Sequence, residues 1–132
     1  MKKIFILFAN ITAAIFIVFG TAGCKKSGTS SGQTYQPVVM TDGAAAKDST
    51  TITAEGEVTD RYGQPIKVQG FVWMPMTHVP TITDHVVNCG NTFGVFDGVI
   101  SGLKPHTTYW VSAYAEIGNV PGYGMLVQVT TP

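Results

Sequence analysis

Charge is scarce in this sequence. Its 132 residues include eight Lys or Arg and eight Asp or Glu, 12% in all, for a formal net charge of zero. Nucleic-acid binding needs a basic patch or stripe. The only adjacent basic residues are Lys2-Lys3 and Lys25-Lys26, so a nucleic-acid partner is excluded. Cysteine is scarcer still, with only Cys24 and Cys89. Two cysteines cannot build the disulfide framework of a small stapled fold. Recognisable catalytic apparatus is also missing. There is no Gly-x-Ser-x-Gly elbow set between a strand and a helix, no phosphate loop and no His-Glu-x-x-His helix. Neither catalysis nor a cofactor is expected.

Long apolar runs are absent except at the start. After Met1-Lys2-Lys3 comes "IFILFANITAAIFIVFG", Ile4 to Gly20, broken by Asn10 and Thr12. A basic start, an apolar stretch and small residues behind it make a secretory signal peptide. The stretch is short for a spanning helix, which wants about 20 apolar residues. A retained N-terminal anchor is the other reading, because Lys25 and Lys26 make the far flank positive too. The positive mean hydropathy of the chain comes partly from this segment.

The residues that follow favour cleavage. "TAGC", Thr21 to Cys24, resembles the lipobox of bacterial lipoproteins, with Ala22, Gly23 and Cys24 on the pattern and Thr21 where leucine is usual. The resemblance implies cleavage before Cys24 and a diacylglycerol on its sulfur. One acyl chain holds a protein only marginally, so stable anchoring needs two or more. A triacylated Cys24, with palmitate-like chains, would meet that need. The expected location is the bacterial cell envelope. Lys25 and Lys26 lean toward the periplasmic face of a membrane rather than the cell surface, and the choice of membrane stays open. The mature segment 24–132 carries six basic and eight acidic residues, hence −2. With Cys24 lipidated, Cys89 is left over, as a buried thiol or as half of an intermolecular bridge.

Three segments are expected: a signal peptide at 1–23, a lipidated cysteine with a flexible Ser/Gly/Thr-rich tether at 24–36, and one folded domain at 37–132. No part of the domain has helical periodicity. In "TITAEGEVTD", 51 to 60, Ile52, Ala54, Gly56 and Val58 fall on one face, and Thr53, Glu55, Glu57 and Thr59 on the other. That alternation predicts a half-buried strand. Segments 66–74, 92–100, 107–117 and 123–131 read likewise, with a shorter strand at 37–41. "VTDRYGQPI" reads as a turn and "EIGNVPGYG" as a loop. The expectation is an all-β sandwich of about seven antiparallel strands.

The C-terminal third carries a second resemblance. In "ISGLKPHTTYWVSAYAEI", Leu103, Pro105 and Tyr109 stand where fibronectin type III-like domains carry the residues of their tyrosine corner. Val111, Ala113 and Ala115 then continue as that family's strand does. The resemblance spans about Val38 to Pro132 and implies an immunoglobulin-like β-sandwich scaffold. It weakens at "MPMTHVPTITDHVVNCGN", 74 to 91, which is longer and less strand-like than a simple connection. Fold alone does not set function.

Three constellations remain. His78, His85 and Cys89 share the irregular stretch and are good ligands for zinc or copper, but no compact ligand pair is present and no metal site is expected. Glu55 and Glu57 share one strand face and one environment, which suits a solubilising surface better than acid–base work. The aromatics say more. If Lys67, Gln69, Phe71 and Trp73 face outward, then Phe71, Trp73, Trp110 and Tyr114 form one exposed patch on neighbouring strands. A one-residue slip puts Phe71 and Trp73 in the core, leaving Trp110 and Tyr114 outside. A sandwich this small needs large core residues, which favours the slipped register. Clustered exposed aromatics mark interaction sites. The chain therefore reads as a non-enzymatic envelope lipoprotein with a binding or adhesion module for a protein or glycan. The alternative is an accessory spacer of a larger envelope assembly. "DST", 48 to 50, fits a short O-glycosylation pattern of some bacteria, and fits an ordinary turn better.

Overall fold

The computed structural model describes residues 33–132. The expected signal peptide, Cys24 and residues 25–32 of the expected tether lie outside the described residues. The compact unit runs from Thr34 to Pro132. Tyr35 and Gln36, assigned above to the tether, lie on the domain. The Tyr35 ring stacks on Tyr62 at 5.6 Å, and Gln36 Nε2 donates to the Pro121 carbonyl at 3.0 Å.

Eight strands follow one another: β1 (Val38–Asp48), β2 (Thr51–Asp60), β3 (Ile66–Pro75), β4 (His85–Gly90), β5 (Gly94–Ile100), β6 (Thr108–Ile117), β7 (Val120–Tyr123) and β8 (Val127–Thr130). All pairings are antiparallel. One sheet has the order β1-β2-β5. The other has the order β4-β3-β6-β7, and β8 pairs with the opposite half of β6. β7 and β8 thus make one edge, interrupted at Gly124–Leu126.

Period-two patterning explains β2 directly. Ile52, Ala54, Gly56 and Val58 are buried against the facing sheet, while Thr53, Glu55 and Thr59 are exposed. The sheets approach closely at Gly56, where an added Cβ would lie 2.8 Å from that of Ala113. The centre of the core is Phe71 against Phe96, ring centroids 5.2 Å apart, with Ile52, Ile100 and Val111 around them fully buried.

Three elements differ from the sequence expectation. β1 extends past 41 through "DGAAAKD", a stretch poor in β-formers that pairing with β2 holds extended, with three register shifts. β4 lies inside the stretch read as irregular, pairing with β3. β7 lies inside the segment read as a loop: only 118–119 turn, and Val120–Tyr123 pairs back on β6. The "DST" segment closes the β1–β2 hairpin. Asp48 Oδ1 accepts from the Thr50 N–H at 2.9 Å and from its hydroxyl at 3.0 Å. The backbone bond is the main reason its carboxyl sits below the usual range.

Tyr109 is buried, and its hydroxyl accepts the Lys104 N–H at 2.9 Å. Leu103 packs into the core beside it. Tyr109→Phe removes that acceptor and strands a part-buried backbone donor. We expect a loss of about 1–3 kcal/mol, measured by denaturant midpoint at unchanged m-value.

Candidate functional site: an aromatic pole

The exposed sheet patch does not form. Phe71 is fully buried, on the core face of β3. Trp73 follows it inward, half-buried, edge-on to Tyr109 at 5.5 Å and stacked on the His85 ring at 4.3 Å. Tyr114 does point to the other face of its sheet, yet it is 2% exposed. Only Trp110 stays half-exposed there, across from Met74 and Gln128.

Residues 76–84 account for the burial of Tyr114. This stretch folds back over the outer face of β3 and β6. Its Pro80 is buried, the Ile82 N–H donates to the Tyr123 hydroxyl at 3.1 Å, and Met76 Sδ accepts from Gln128 Nε2. Ile82 shares a depression of about 290 Å³ with Val68, Val86 and Tyr114. The Tyr114 hydroxyl donates to Asn88 Oδ1, and burial pushes the phenol up to about 12. Val72 and Ser112, also on this face, are buried as well.

His78, His85 and Cys89 are not brought together. His78 Nε2 lies 3.1 Å from Asp84 Oδ1, His85 stacks on Trp73, and Cys89 turns toward the Val87 carbonyl. Burial, then Asp97, raises the Cys89 thiol. Among the described residues no three His, Cys, Asp or Glu side chains gather where an ion could be held. Asp84 closes a turn instead. It accepts the Thr81 N–H at 2.8 Å and hydroxyl at 3.1 Å, and the backbone bond and His78 hold its carboxyl below the ordinary value of 3.8. A depressed folded-state value means that its contribution is intact above about pH 4 and lost as pH falls through the lowered value. The Thr81 amide resonance should therefore shift in strong acid at a midpoint below 3.8, and Asp84→Asn should abolish that shift.

The exposed aromatics sit elsewhere, at one end of the sandwich. There the 61–65 turn, the 91–93 connection, the 118–119 turn and the incoming chain at 34–37 meet. Tyr62 is 48% exposed and Phe93 54%. The Arg61 guanidinium lies over the Phe93 ring, 5.3 Å from its centre, and donates to the Gln64 carbonyl at 3.0 Å. Tyr35, Tyr62, Arg61 and Phe93 thus form one string. Two shallow depressions flank it, about 420 Å³ beside Tyr35 and Tyr62 and about 340 Å³ beside Arg61 and Phe93.

The backbone is arranged to present Tyr62. Its φ is +50°, a conformation that costs a non-glycine residue about 1–2 kcal/mol. Asp60 Oδ1 accepts the Tyr62 N–H at 2.8 Å, and Gly63 follows at φ +72°. Lys67 braces the neighbouring turn, 3.3 Å from Asn119 Oδ1 and 3.6 Å from Glu116. Exposed Val38, Met40 and Val95 extend the apolar surface onto the adjoining sheet, where Met40 and Val95 flank Glu57. Strand alternation could not have found this pole. The available signal was aromatic residues inside turn sequences, as in "DRYGQP" and "NTFG".

No protein-family model and no curated protein matches the chain. Solved structures do match in fold. The sensor domain of the anti-sigma factor RsgI4 from Pseudobacteroides cellulosolvens superposes with a TM-score of 0.53 at 17% identity, covering 75% of this chain and 97% of that domain. The sixth fibronectin type III domain of human fibronectin type III domain containing protein 3 gives 0.55 at 21% identity, covering 79% and 92%. The fold is fibronectin type III-like.

Proposed function

We propose that this chain is a membrane-anchored lipoprotein of the bacterial cell envelope whose sandwich is a non-enzymatic binding module. Cys24 carries the lipid, and the pole recognises a protein or glycan. The observation that carries the reading is the string Tyr35–Tyr62–Arg61–Phe93, with Tyr62 and Phe93 exposed on loops that a rigid scaffold holds in place. Loops positioned in this way are where binding residues concentrate. Aromatic and arginine side chains supply most binding hot spots. Similarity to a sensor domain and to a fibronectin type III domain supports a recognition role over catalysis.

The incoming chain lies at the same pole. By its Ser/Gly/Thr-rich composition, the sequence between Cys24 and Thr34 would reach roughly 17 Å. The partner is then one held close to the membrane. The test is titration of Thr34–Pro132 with envelope polysaccharides and with membrane-proximal envelope proteins. The double variant Tyr62→Ala/Phe93→Ala should weaken binding by about 1,000-fold, as two additive hot spots of about 2 kcal/mol would. Its melting temperature should stay within a few degrees, since both side chains are exposed. Undiminished binding by the double variant would remove the pole. Labelled palmitate incorporated by the full chain and lost in Cys24→Ser would support the anchor.

A further inference from the structure

A second surface lies on the sheet edge formed by β5. Among the described residues this strand pairs with β2 and with no other. A sheet edge presents unpaired N–H and C=O groups, and proteins usually blunt it with lysine, proline, a bulge or cover. β5 carries no lysine, proline or bulge, and β4 approaches it on the core side, where Cys89 lies against Gly98. Its seven residues, "GVFDGVI", contain one charge, Asp97, and their register with β2 runs unbroken from Gly94 to Ile100. The opposite edge of the same sheet is protected. β1 has three register shifts, and its Pro37 and Thr41 lie against Gly122 and Gly124, with Thr41 Oγ1 accepting the Ala113 N–H at 2.9 Å.

The outer face of β5 is patterned. Val95 and Val99 are 58% and 54% exposed, and Asp97 stands between them. Asp97 sits directly across from Glu55, with Glu57 next on the same face. Among the described residues no hydrogen bond or ion pair engages Asp97 or Glu55. A shallow depression of about 460 Å³ opens beside both carboxylates. Like charges facing each other across a strand pair are destabilising. A cation placed next in that row would relieve them.

We propose that β5 takes up an extended peptide segment as a fourth strand of its sheet. The segment carries Lys or Arg facing Asp97 and β-branched residues facing Val95 and Val99. Backbone pairing gives such strand addition its affinity, and alternate side chains give its specificity. A second copy of this chain is the poorer occupant. Antiparallel β5–β5 pairing that sets Val95 against Val99 also sets Asp97 against Asp97.

The probe is a nonapeptide alternating Thr and Val around a central Lys, added to the Thr34–Pro132 unit, which has its own core. Amide exchange on the free side of β5 should slow at least tenfold. Replacing the peptide Lys by Glu, or Asp97 by Lys in the domain, should each weaken binding at least tenfold, and the two together should restore it. N-methylation of the peptide amides along one edge should abolish binding, while methylation along the other edge should not. Asp97 is exposed, so Asp97→Lys should fold normally. Protection on β4 or β1 instead, no protection anywhere, or indifference to the charge swap would overturn the proposal. So would self-association through β5 with the same protected amides and no peptide. The Tyr62→Ala/Phe93→Ala variant should bind the nonapeptide unchanged, which separates this surface from the pole.

Discussion

Phe71→Ala is expected to lower the stability of the domain by about 3–5 kcal/mol. The ring is fully buried on β3 and meets Phe96 at 5.2 Å across the two sheets. It also lies on the bare backbone of Gly98, where an added Cβ would come within 2.9 Å of it. Its neighbours are strands pinned in two ladders, so they cannot close over the space. Lost transfer energy and a residual cavity therefore add. A domain of this size has roughly 5–15 kcal/mol in total. The loss should drop the melting temperature by at least about 12 °C, at 4–8 °C per kcal/mol. Calorimetry of Thr34–Pro132 measures it. The contrast is Phe93→Ala, an exposed ring whose removal should cost no more than about 0.5 kcal/mol. Equal losses in the two variants would contradict this division between core and pole.

Gly70→Ala should destabilise by about 3 kcal/mol or more, through overpacking. In most strands the same change would help, since glycine is costly there by about 0.5–1 kcal/mol. Here the sign reverses. Gly70 sits at the register shift between β3 and β4, and an added Cβ would fall on the Val87 carbonyl and the Asn88 Cα. Both are backbone atoms, so no rotamer change can make room. β4 must leave its place, and the Asn88 partner of the Tyr114 hydroxyl goes with it. Two measurements follow. Amide exchange in His85–Gly90 should accelerate before that of β2 and β6. The Tyr114 phenol, held up to about 12 by burial, should titrate closer to its ordinary 10. A variant with wild-type exchange in β4 would show that this contact does not hold the edge.

The residues differ in how plainly their sequence announced them. β2 and β6 were legible because each pairs on both sides within its sheet and keeps one unbroken inward-facing set. Tyr109, Val111, Ala113 and Ala115 therefore alternate inward as the pattern says. β3 was not legible. It has two register shifts, and Phe71 and Val72, adjacent in sequence, are both fully buried. A strand covered on both faces has no polar face to mark its register. Tyr114 misled for the same reason. Its direction follows from alternation, while its burial depends on residues 76–84 crossing back over the sheet.

The sequence by itself determined the sandwich class, the inward set of β2 and the place of Tyr109, because these follow from period-two patterning and local turn chemistry. Only the tertiary structure decided which aromatics reach solvent. Exposure is set by what packs on top of a residue, and the covering segments come from distant parts of the chain. The 76–84 stretch buries Tyr114, and the facing sheet buries Phe71. The meeting of three turns with the incoming chain leaves Tyr62 and Phe93 outside.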